Sequence, residues 1–400
     1  MKMNEKMFAA MRDAANLLQQ NGALAATEKI QQTLKEMMPE AGQGFGAMPQ
    51  APSAGMRDIN APPAWAGKPG AVNGFVPDLL AGLGLASPPD AYAFKAPSAV
   101  PPFAQPAQPA QPDTGAGGRF LAGVFTGQAG TRHYKLYVPS GYQGQPLPLV
   151  VMLHGCTQNP DDFAAGTRMN EIAEQKPCLV LYPAQAQSAN GSKCWNWFNA
   201  VDQRRGQGEP SIIAGMTQEI IKTWQVDPRQ VYIAGLSAGG AMAIIMGTTY
   251  PELYAAVGIH SGLPYASAHD LPSALAAMKG DAARRGHAGA TKSGSEAIPV
   301  IVFHGDRDKT VHPRNGDQIV TGAIPGGAAG TQSRAKVPDG HAYTRTVHSD
   351  DAGRVIAEQW LVHGAGHAWS GGSSRGSYTD GKGPDASKEM MRFFSTRSQS

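Results

Sequence analysis

The pattern of apolar and polar positions divides the chain into three regions. In the first, within residues 4–38, apolar side chains recur three and four positions apart in two short stripes, with Asn21 and Gly22 between them. Such spacing predicts two amphipathic helices, and an Asn-Gly pair is typical of a turn. Residues 1–38 are therefore predicted to form a helical hairpin, which either docks on a partner or caps the main domain.

The second region has no pattern that a folded core would need. Pro, Ala, Gly and Gln dominate residues 39–115, and Ala-Gln-Pro occurs three times in succession at residues 104–112. Chains rich in proline extend as polyproline II and act as spacers. We therefore predict a linker of low complexity here.

In the third region, from about residue 116 onward, short apolar runs alternate with helical stripes. The predicted strands are residues 147–153, 178–182, 231–234, 256–260 and 300–304, and the predicted helices are residues 163–173, 212–224, 241–250 and 388–394. Since parallel neighbours need a crossover connection, this alternation predicts an α/β fold with a mainly parallel central sheet and helices on both faces. Residues 116–400 are predicted to be one such domain, with its site beyond the carboxyl ends of the strands.

Charge and hydropathy narrow the classes of partner. The 400 residues include 34 Lys or Arg and 31 Asp or Glu, a formal net charge of +3. This balance offers little electrostatic attraction for nucleic acid or an anionic membrane, so neither partner is expected. The chain has no apolar run long enough for a predicted membrane span, and its first 20 residues lack the features of a Sec signal peptide. As read, the sequence predicts a cytoplasmic protein.

A candidate nucleophile stands between a predicted strand and a predicted helix. Residues 235–239 fit the motif G-x-S-x-G, with Ser237 at the centre. A sharp strand-to-helix turn exposes the serine hydroxyl above the sheet, and the start of the helix favours developing negative charge. A second match, around Ser374, lies in a Gly/Ser loop that follows no apolar run. Ser237 is therefore the candidate, and the alternative is an ordinary turn.

A serine hydroxyl becomes a good nucleophile only when a base accepts its proton, and a carboxylate must orient that base. In this fold class the chain order is serine, acid, histidine. Asp306 and Asp308 follow the last predicted strand. Asp308 lies further past its end and is the candidate acid, whereas Asp306 is expected to cap backbone N–H groups of the turn. Downstream, His363 ends an apolar run, while His367 lies in a loop that glycines make flexible, so His367 is the candidate base.

Acyl transfer through a tetrahedral intermediate also needs two backbone N–H donors for the oxyanion. Ala238, directly after the serine, is one candidate. The other is Cys156, in a His-Gly-Cys turn after the strand predicted at residues 147–153. The alternative for this His-Gly pair is a turn that simply ends a strand.

An aromatic cluster, Cys194-Trp195-Asn196-Trp197-Phe198, lies in a polar stretch. Trp195 and Trp197 are candidate substrate-binding residues, because exposed aromatics beside a site suit an apolar or polymeric ligand. Alternatively, they pack under the loop as a small core.

Cys156 and Cys194 both lie near the predicted site, so a disulfide between them is feasible in an oxidising compartment. The cysteines have no zinc spacing, so no metal is expected.

Five segments, in this order, together resemble the esterase/polyhydroxybutyrate depolymerase family of α/β-hydrolases. They are LHGCTQNPDDFA, CWNWF, YIAGLSAGGAM, FHGDRDKTVHP and GAGHAWSGG, and the resemblance covers about residues 116–395. It implies an α/β-hydrolase fold and short-chain poly(3-hydroxybutyrate) depolymerases, with feruloyl and acetylxylan esterases as relatives. It also implies a catalytic triad of Ser237, Asp308 and His367, an oxyanion donor at Cys156 and a disulfide between Cys156 and Cys194.

We therefore expect a serine-dependent carboxylic ester hydrolase that needs no cofactor. The expected substrate is a short-chain polyhydroxyalkanoate or its oligomers, and the alternative is a feruloyl or acetylxylan ester. Secreted relatives carry a signal peptide and often a substrate-binding domain. Since the sequence shows neither, a cytoplasmic location is expected and an extracellular one is the alternative. A hypothesis of a different class is a binding protein, in which residues 1–38 recruit the chain to a granule or a protein partner and the hydrolase fold is a scaffold.

Overall fold

The computed structural model describes residues 117–281, 298–324 and 330–399. These residues belong to the region that the sequence predicts to be the α/β domain. The helical hairpin predicted at residues 1–38 and the linker predicted at residues 39–115 lie outside the described residues.

Strands and helices alternate through most of the described residues. The strands are β1 (Arg119–Gly127), β2 (Gly130–Val138), β3 (Leu147–Leu153), β4 (Leu179–Pro183), β5 (Val226–Leu236), β6 (Ala256–His260), β7 (Val300–Gly305), β8 (Thr331–Lys336), β9 (Ala342–Ser349), β10 (Val355–Val362), β11 (Trp369–Ser370) and β12 (Thr379–Asp380). The α-helices are α1 (Pro160–Thr167), α2 (Met169–Gln175), α3 (Gly208–Thr223), α4 (Ala238–Thr249), α5 (Leu271–Met278), α6 (Arg314–Ala323) and α7 (Ala386–Phe394), and a 3-10 turn spans Ala200–Gln203. In this described part of the chain, none of the helices combines the length and the apolar character needed to cross a bilayer.

Ten strands form one sheet in the order β1-β2-β4-β3-β5-β6-β7-β10-β9-β8. The six central strands, from β4 to β10, pair in parallel, whereas the hairpins β1-β2 and β8-β9 flank them with antiparallel pairing. The predicted mainly parallel sheet is confirmed. Its central strands end at a common edge, where residues from β3, β5, β6 and β7 lie close together.

The core lies on both faces of this sheet. Along β3, Leu149, Val151 and Leu153 pack into one cluster with residues of α3 and α4, while Val150 and Met152 pack into the other with residues of α1, α2 and α7. Successive side chains of a strand point to opposite faces, so a strand covered on both sides needs a continuous apolar run. The sequence LPLVVML meets this requirement.

The helix predicted at residues 163–173 is in fact two helices. Arg168 ends α1 and begins α2 with φ at 56°, in the left-handed region that no α-helix can contain. Its guanidinium donates hydrogen bonds to the carbonyl oxygen of Gly371 (3.0 Å) and to the Asp385 carboxylate (2.8 Å). These contacts with the C-terminal part of the chain stabilise the break, which explains why the local pattern did not reveal it.

Candidate active site

Ser237 occupies a strained turn between β5 and α4. Its backbone has φ at 57° and ψ at −120°, a conformation that side chains rarely adopt. The Ser237 N–H donates to the carbonyl oxygen of His260 (2.9 Å), and its own carbonyl accepts from Ala241 (2.9 Å), the first hydrogen bond of the helix. The turn is thereby tied to the end of β6 and to α4, and it holds the Ser237 side chain half-buried at the edge of the sheet.

The glycines of the motif allow this turn to lie close to its neighbours. A Cβ atom at Gly239 would be 2.1 Å from the carbonyl oxygen of Leu153, and one at Gly235 would be 2.3 Å from the carbonyl oxygen of Gly239. Real side chains do not tolerate either distance. The first turn of α4 can therefore lie directly against the end of β3, where the His-Gly-Cys turn begins.

Asp308, which is buried, and His367, which is partly buried, form a hydrogen-bonded pair. His367 Nδ1 lies 2.7 Å from Asp308 Oδ2, and the other carboxylate oxygen accepts from the N–H groups of Thr310 and Val311, each at 2.9 Å. Because a carboxylate only accepts hydrogen bonds, the imidazole proton must be on Nδ1. His367 Nε2 is then left as a lone pair, the form that a general base requires.

The Asp308 carboxyl is held in its ionised form. Burial of this fully enclosed side chain raises its pKa, but hydrogen bonds from His304 and His367 outweigh burial and bring the pKa well below the ordinary value. His304 Nε2 lies 3.4 Å from Oδ2, the same carboxylate oxygen that His367 contacts. A charge that is fixed in this way can orient and stabilise an imidazolium.

The structure thus joins the candidate acid to the candidate base. Between Ser237 and His367, both described residues, there is no hydrogen bond within 3.5 Å, so their pairing stays a prediction. Ser237 follows β5, which is separated only by β6 from β7, the strand before Asp308. Catalytic hydrogen bonds often tighten only when substrate is bound.

His260 connects the serine turn with the loop that carries the base. Its carbonyl accepts from Ser237, and its Nε2 accepts from the N–H of Ser370 (3.0 Å), three residues after His367. The ring stacks between Phe303 and Trp369, at centroid distances of 5.8 and 5.2 Å. His260 therefore fixes both segments relative to β6.

The candidate oxyanion donors lie at adjacent turns. The carbonyl of Gly155 accepts from His154 Nδ1 (2.8 Å) and from the N–H of Gln158 (3.3 Å). Because C=O and N–H point in opposite directions across a trans peptide, the N–H of Cys156 is directed away from both donors. Ala238 is the first residue of α4, where N–H groups lack partners inside the helix. In the described residues neither N–H donates to a protein acceptor, so both are free to bind an oxyanion.

Two histidines behind this site are held neutral. His154 Nε2 accepts from Gln185 N (3.1 Å) and its Nδ1 donates to Gly155, and burial lowers its pKa to about 4. Burial, together with the charges of His304 and His367, lowers the pKa of His260 to about 3. Each ring must accept one hydrogen bond, so protonation of either would break a contact that shapes the site.

Because the pKa values of these two histidines are lowered in the folded state, we expect acid to destabilise the fold. In the unfolded chain a histidine pKa is near 6.5, so below that pH the unfolded state binds more protons and the stability present above pH 6.5 is lost. We expect the free energy of unfolding to fall by about 2–4 kcal/mol from pH 7 to pH 5. Glu209, whose pKa is raised by burial, offsets part of this loss. Urea unfolding at both pH values measures the change.

An exposed histidine provides the control for this experiment. His133 is exposed on β2, so His133→Gln should leave the difference between pH 7 and pH 5 unchanged. Equal stability of the wild type at the two pH values would contradict the assignment of neutral His154 and His260.

The aromatic loop differs from its predicted role. Trp195 is 1% exposed and Trp197 is 6% exposed, so the prediction that they form an exposed substrate-binding surface is wrong. Trp195 Nε1 donates to the carbonyl of His154 (3.1 Å), and Trp197 packs edge-to-face on Phe198. The alternative, a small core under the loop, describes what the structure shows. The physical reason is that the indole N–H finds its partner inside the fold.

A buried polar network and a disulfide fix this loop to the oxyanion turn. The Glu209 carboxylate accepts from the backbone N–H (2.7 Å) and the side-chain amide (2.9 Å) of Asn196, in the centre of the loop. Gln185, which binds His154 through its N–H, also donates to Glu209 through its side chain. Cys156 and Cys194 form a disulfide bond. The loop therefore supports the turn that carries one candidate oxyanion donor.

Asp306 forms a second pair with a histidine, close to the first. Its carboxylate accepts from His363 Nδ1 (3.0 Å) and from the backbone N–H of Gly364 (2.7 Å). His363 Nε2 in turn lies 2.8 Å from Thr344 Oγ1. The backbone contact is the kind that was expected of Asp306, and it holds the start of the loop that leads to His367.

The sequence interpretation overlooked three histidines that shape the site. His154, His260 and His304 are all buried and stand at or directly after the carboxyl ends of β3, β6 and β7. Each of these histidines stands at the end of a short apolar run, and this position in the sequence could have identified them. In the part of the chain that the structure describes, no group of three or more His, Cys, Asp or Glu residues is arranged to hold a metal ion.

A cavity of about 440 Å³ opens beside Asp308. It lies between α5, which contributes Leu275 and Met278, and the loop after β7, which contributes Thr310 and His312. Most of its surface is apolar. Lys279 and Lys309 also line it.

Comparison with known proteins confirms the predicted resemblance. The family model described as Esterase PHB depolymerase matches residues 132–327. Poly(3-hydroxyalkanoate) depolymerase C of Paucimonas lemoignei is 32% identical over 242 residues, which are 58% of this chain and 57% of that protein. Acetylxylan esterase A of Talaromyces purpureogenus is 29% identical over 49% of this chain and 53% of its own length. Feruloyl esterase B of Neurospora crassa is 26% identical over 58% of this chain and 81% of its own.

The chain spans about half the length of the first two of these relatives. Among solved structures, acetyl xylan esterase from Aspergillus awamori matches with a TM-score of 0.51 and 20% identity, covering 69% of this chain and 99% of that one. This likeness concerns the fold, and it confirms the predicted α/β-hydrolase fold.

Proposed function

We propose that this chain, whose residues 132–327 match the Esterase PHB depolymerase family, is a serine-dependent carboxylic ester hydrolase. The observation that carries the proposal is the hydrogen bond between Asp308 and His367, which leaves an imidazole lone pair at the edge of the sheet where Ser237 turns. The five spaced motifs and the two candidate oxyanion donors support the same reaction.

In the proposed reaction Ser237 Oγ attacks the ester carbonyl while His367 Nε2 takes its proton. The N–H groups of Cys156 and Ala238 stabilise the oxyanion by hydrogen bonds. The positive end of the α4 helix dipole stabilises the same negative charge. His367 returns the proton to the departing alcohol, which leaves an acyl group on Ser237. A water molecule, deprotonated by His367, then attacks the acyl carbon. His367 returns this proton to Ser237 Oγ as the acid leaves, and Asp308 stabilises the imidazolium in both steps.

We propose a short-chain polyhydroxyalkanoate, such as poly(3-hydroxybutyrate), or its oligomers as the substrate. The depolymerase of Paucimonas lemoignei, which is 32% identical to this chain, acts by its name on poly(3-hydroxyalkanoate). The cavity beside Asp308 is lined by Leu275 and Met278 together with Lys279, Lys309, Thr310 and His312, and its mostly apolar surface is compatible with a short aliphatic group. Feruloyl and acetylxylan esters are the alternative, and relatives of both names are similar to this chain.

The two substrate classes are separated by one comparison. We expect the purified chain to clear a suspension of poly(3-hydroxybutyrate) or to hydrolyse its soluble oligomers, with kcat/KM at least about tenfold higher than for methyl ferulate or acetylated xylan. Production of 3-hydroxybutyrate and of ferulate or acetate is measured under identical conditions. A higher kcat/KM for methyl ferulate or acetylxylan would overturn the substrate assignment while leaving ester hydrolysis in place.

Each region of the chain is assigned a role. We propose that residues 116–400 catalyse the reaction, that residues 39–115 are a linker, and that residues 1–38 bind a granule or a protein partner.

The disulfide between Cys156 and Cys194 favours an extracellular location over the cytoplasm, because disulfides persist in oxidising compartments. The binding-protein hypothesis is opposed by the intact pair of Asp308 and His367.

A further inference from the structure

Tyr378 is a large side chain in an exposed and strained position beside the candidate oxyanion turn. It is 47% exposed, and its backbone has φ at 51°, in the left-handed region that bulky residues avoid. Thr157, which follows Cys156, also lies in this region, with φ at 66°. The two hydroxyl oxygens, of Tyr378 and Thr157, are 3.2 Å apart although the residues are 221 positions apart in sequence.

The direction of this hydrogen bond can be assigned. Thr157 Oγ1 donates its single proton to the carbonyl oxygen of Cys156, at 2.6 Å. The Tyr378 hydroxyl must therefore be the donor to Thr157. Its hydroxyl is thus bound to the protein, and the residue as a whole is 47% exposed.

The segment around Tyr378 is held firmly by its neighbours. Ser377 donates from its N–H (2.8 Å) and from its hydroxyl (2.6 Å) to the carboxylate of Asp162. Gln158, in the turn after Cys156, donates to the carbonyl of Ser377 (3.1 Å), and the Tyr378 carbonyl accepts from Trp369 (2.7 Å). Strain persists only where surrounding contacts impose it, and here they hold Tyr378 in an exposed position beside the candidate oxyanion turn.

We propose that Tyr378 is a substrate-binding residue, whose ring contacts an aliphatic hydroxyalkanoate unit next to the ester bond that is cleaved. This inference rests on the proposed function. Tyr378 thus takes the role that the sequence had assigned to Trp195 and Trp197, which are buried. Among the described residues, Tyr378 is in no ring–ring contact, so no other aromatic side chain stacks on its ring. A flexible chain bearing methyl groups suits a single face of this kind.

Two substitutions distinguish a direct contact of Tyr378 with substrate from an indirect effect of Tyr378 on the oxyanion turn through Thr157. Tyr378→Ala removes the ring, and we expect it to raise KM for a soluble 3-hydroxybutyrate trimer about tenfold, with kcat within about twofold. Tyr378→Phe keeps the ring and loses the hydrogen bond to Thr157, so its KM for the trimer should stay within about twofold of the wild type. For p-nitrophenyl acetate, Tyr378→Ala should reduce kcat/KM about threefold or less, because the acetyl group reaches little of the ring.

Val124, an exposed apolar residue on the edge strand β1, provides the matched control. It is 51% exposed, and Val124→Ala should leave every constant unchanged. Thermal unfolding followed by circular dichroism checks that each variant is folded.

Four results would overturn the inference. A Tyr378→Phe variant that loses as much kcat on p-nitrophenyl acetate as Tyr378→Ala would show that the residue acts on the oxyanion turn. An unchanged trimer KM in Tyr378→Ala, or a rise confined to methyl ferulate, would exclude the hydroxyalkanoate contact, as would a wild type that hydrolyses p-nitrophenyl acetate but no trimer. Failure of the wild type on every ester would instead reject the proposed function itself.

Discussion

Replacing Ser237 with alanine is expected to lower kcat for p-nitrophenyl butyrate by about 10⁴-fold to 10⁶-fold, as for the loss of other serine nucleophiles. The alanine side chain has no hydroxyl to acylate, yet it meets the same backbone strain as serine, and the substitution removes only one oxygen atom. The fold should therefore survive. Steady-state turnover gives the rate, and the mass of the intact protein after treatment with a serine-reactive phosphonate shows whether the nucleophile is present.

The second G-x-S-x-G motif provides a matched control. Ser374 lies exposed in the turn between β11 and β12, away from any strand-to-helix junction. Ser374→Ala should keep turnover within about twofold and should still react once with the phosphonate. Equal rates in the wild type and Ser237→Ala would favour the scaffold hypothesis, and labelling that depends on Ser374 would reverse the assignment of the nucleophile.

Substituting Asp308 with asparagine is expected to lower kcat by about 10⁴-fold with the fold intact. The amide oxygen can still accept from Thr310 and Val311, but the amide N–H₂ then faces His367 Nδ1. Two donors cannot share this contact, so the imidazole proton moves to Nε2. The base then has no lone pair for the serine proton. Turnover of p-nitrophenyl butyrate from pH 6 to pH 10 measures the loss.

Asp306→Asn is the matched control, because Asp306 forms a similar pair with His363. That pair is half-exposed, and an amide oxygen can still accept from Gly364, so we expect less than about fivefold loss. A larger loss in Asp306→Asn than in Asp308→Asn would transfer the role of the acid to Asp306 and the role of the base to His363.

The sequence predicted those parts of the sheet whose residues are apolar on both sides. The runs at residues 147–153 and 256–260 coincide with β3 and β6, because a strand covered by helices on both faces has no polar position to interrupt it. The hairpin of β1 and β2 was not predicted, since its residues alternate between exposed and partly buried positions. All six residues of β8 are exposed, so that strand is defined by its backbone pairing with β9 and leaves no hydrophobic signal.

The sequence indicated candidate site residues where side chains that can do chemistry stand at strand ends, and their roles stay predictions. Ser237 was selected over Ser374 by context alone, and Asp308 and His367 by their order and by the loops in which they lie. Trp195 could not be placed in this way. Its burial depends on a hydrogen bond to His154, 41 residues earlier in the chain, which local hydropathy does not report.

The burial of Trp195 and Trp197 also bears on how the selectivity of such a chain could diverge. Within Cys194–Phe198, Trp195 and Trp197 belong to the core, Asn196 to the Glu209 network and Cys194 to the disulfide. Selection would therefore remove most changes there as misfolded before they could alter ligand preference. Tyr378 projects from a segment fixed by its backbone and by Ser377. Under the role proposed for Tyr378, exchange of this surface side chain leaves the packing of the interior in place and changes the contact offered to substrate.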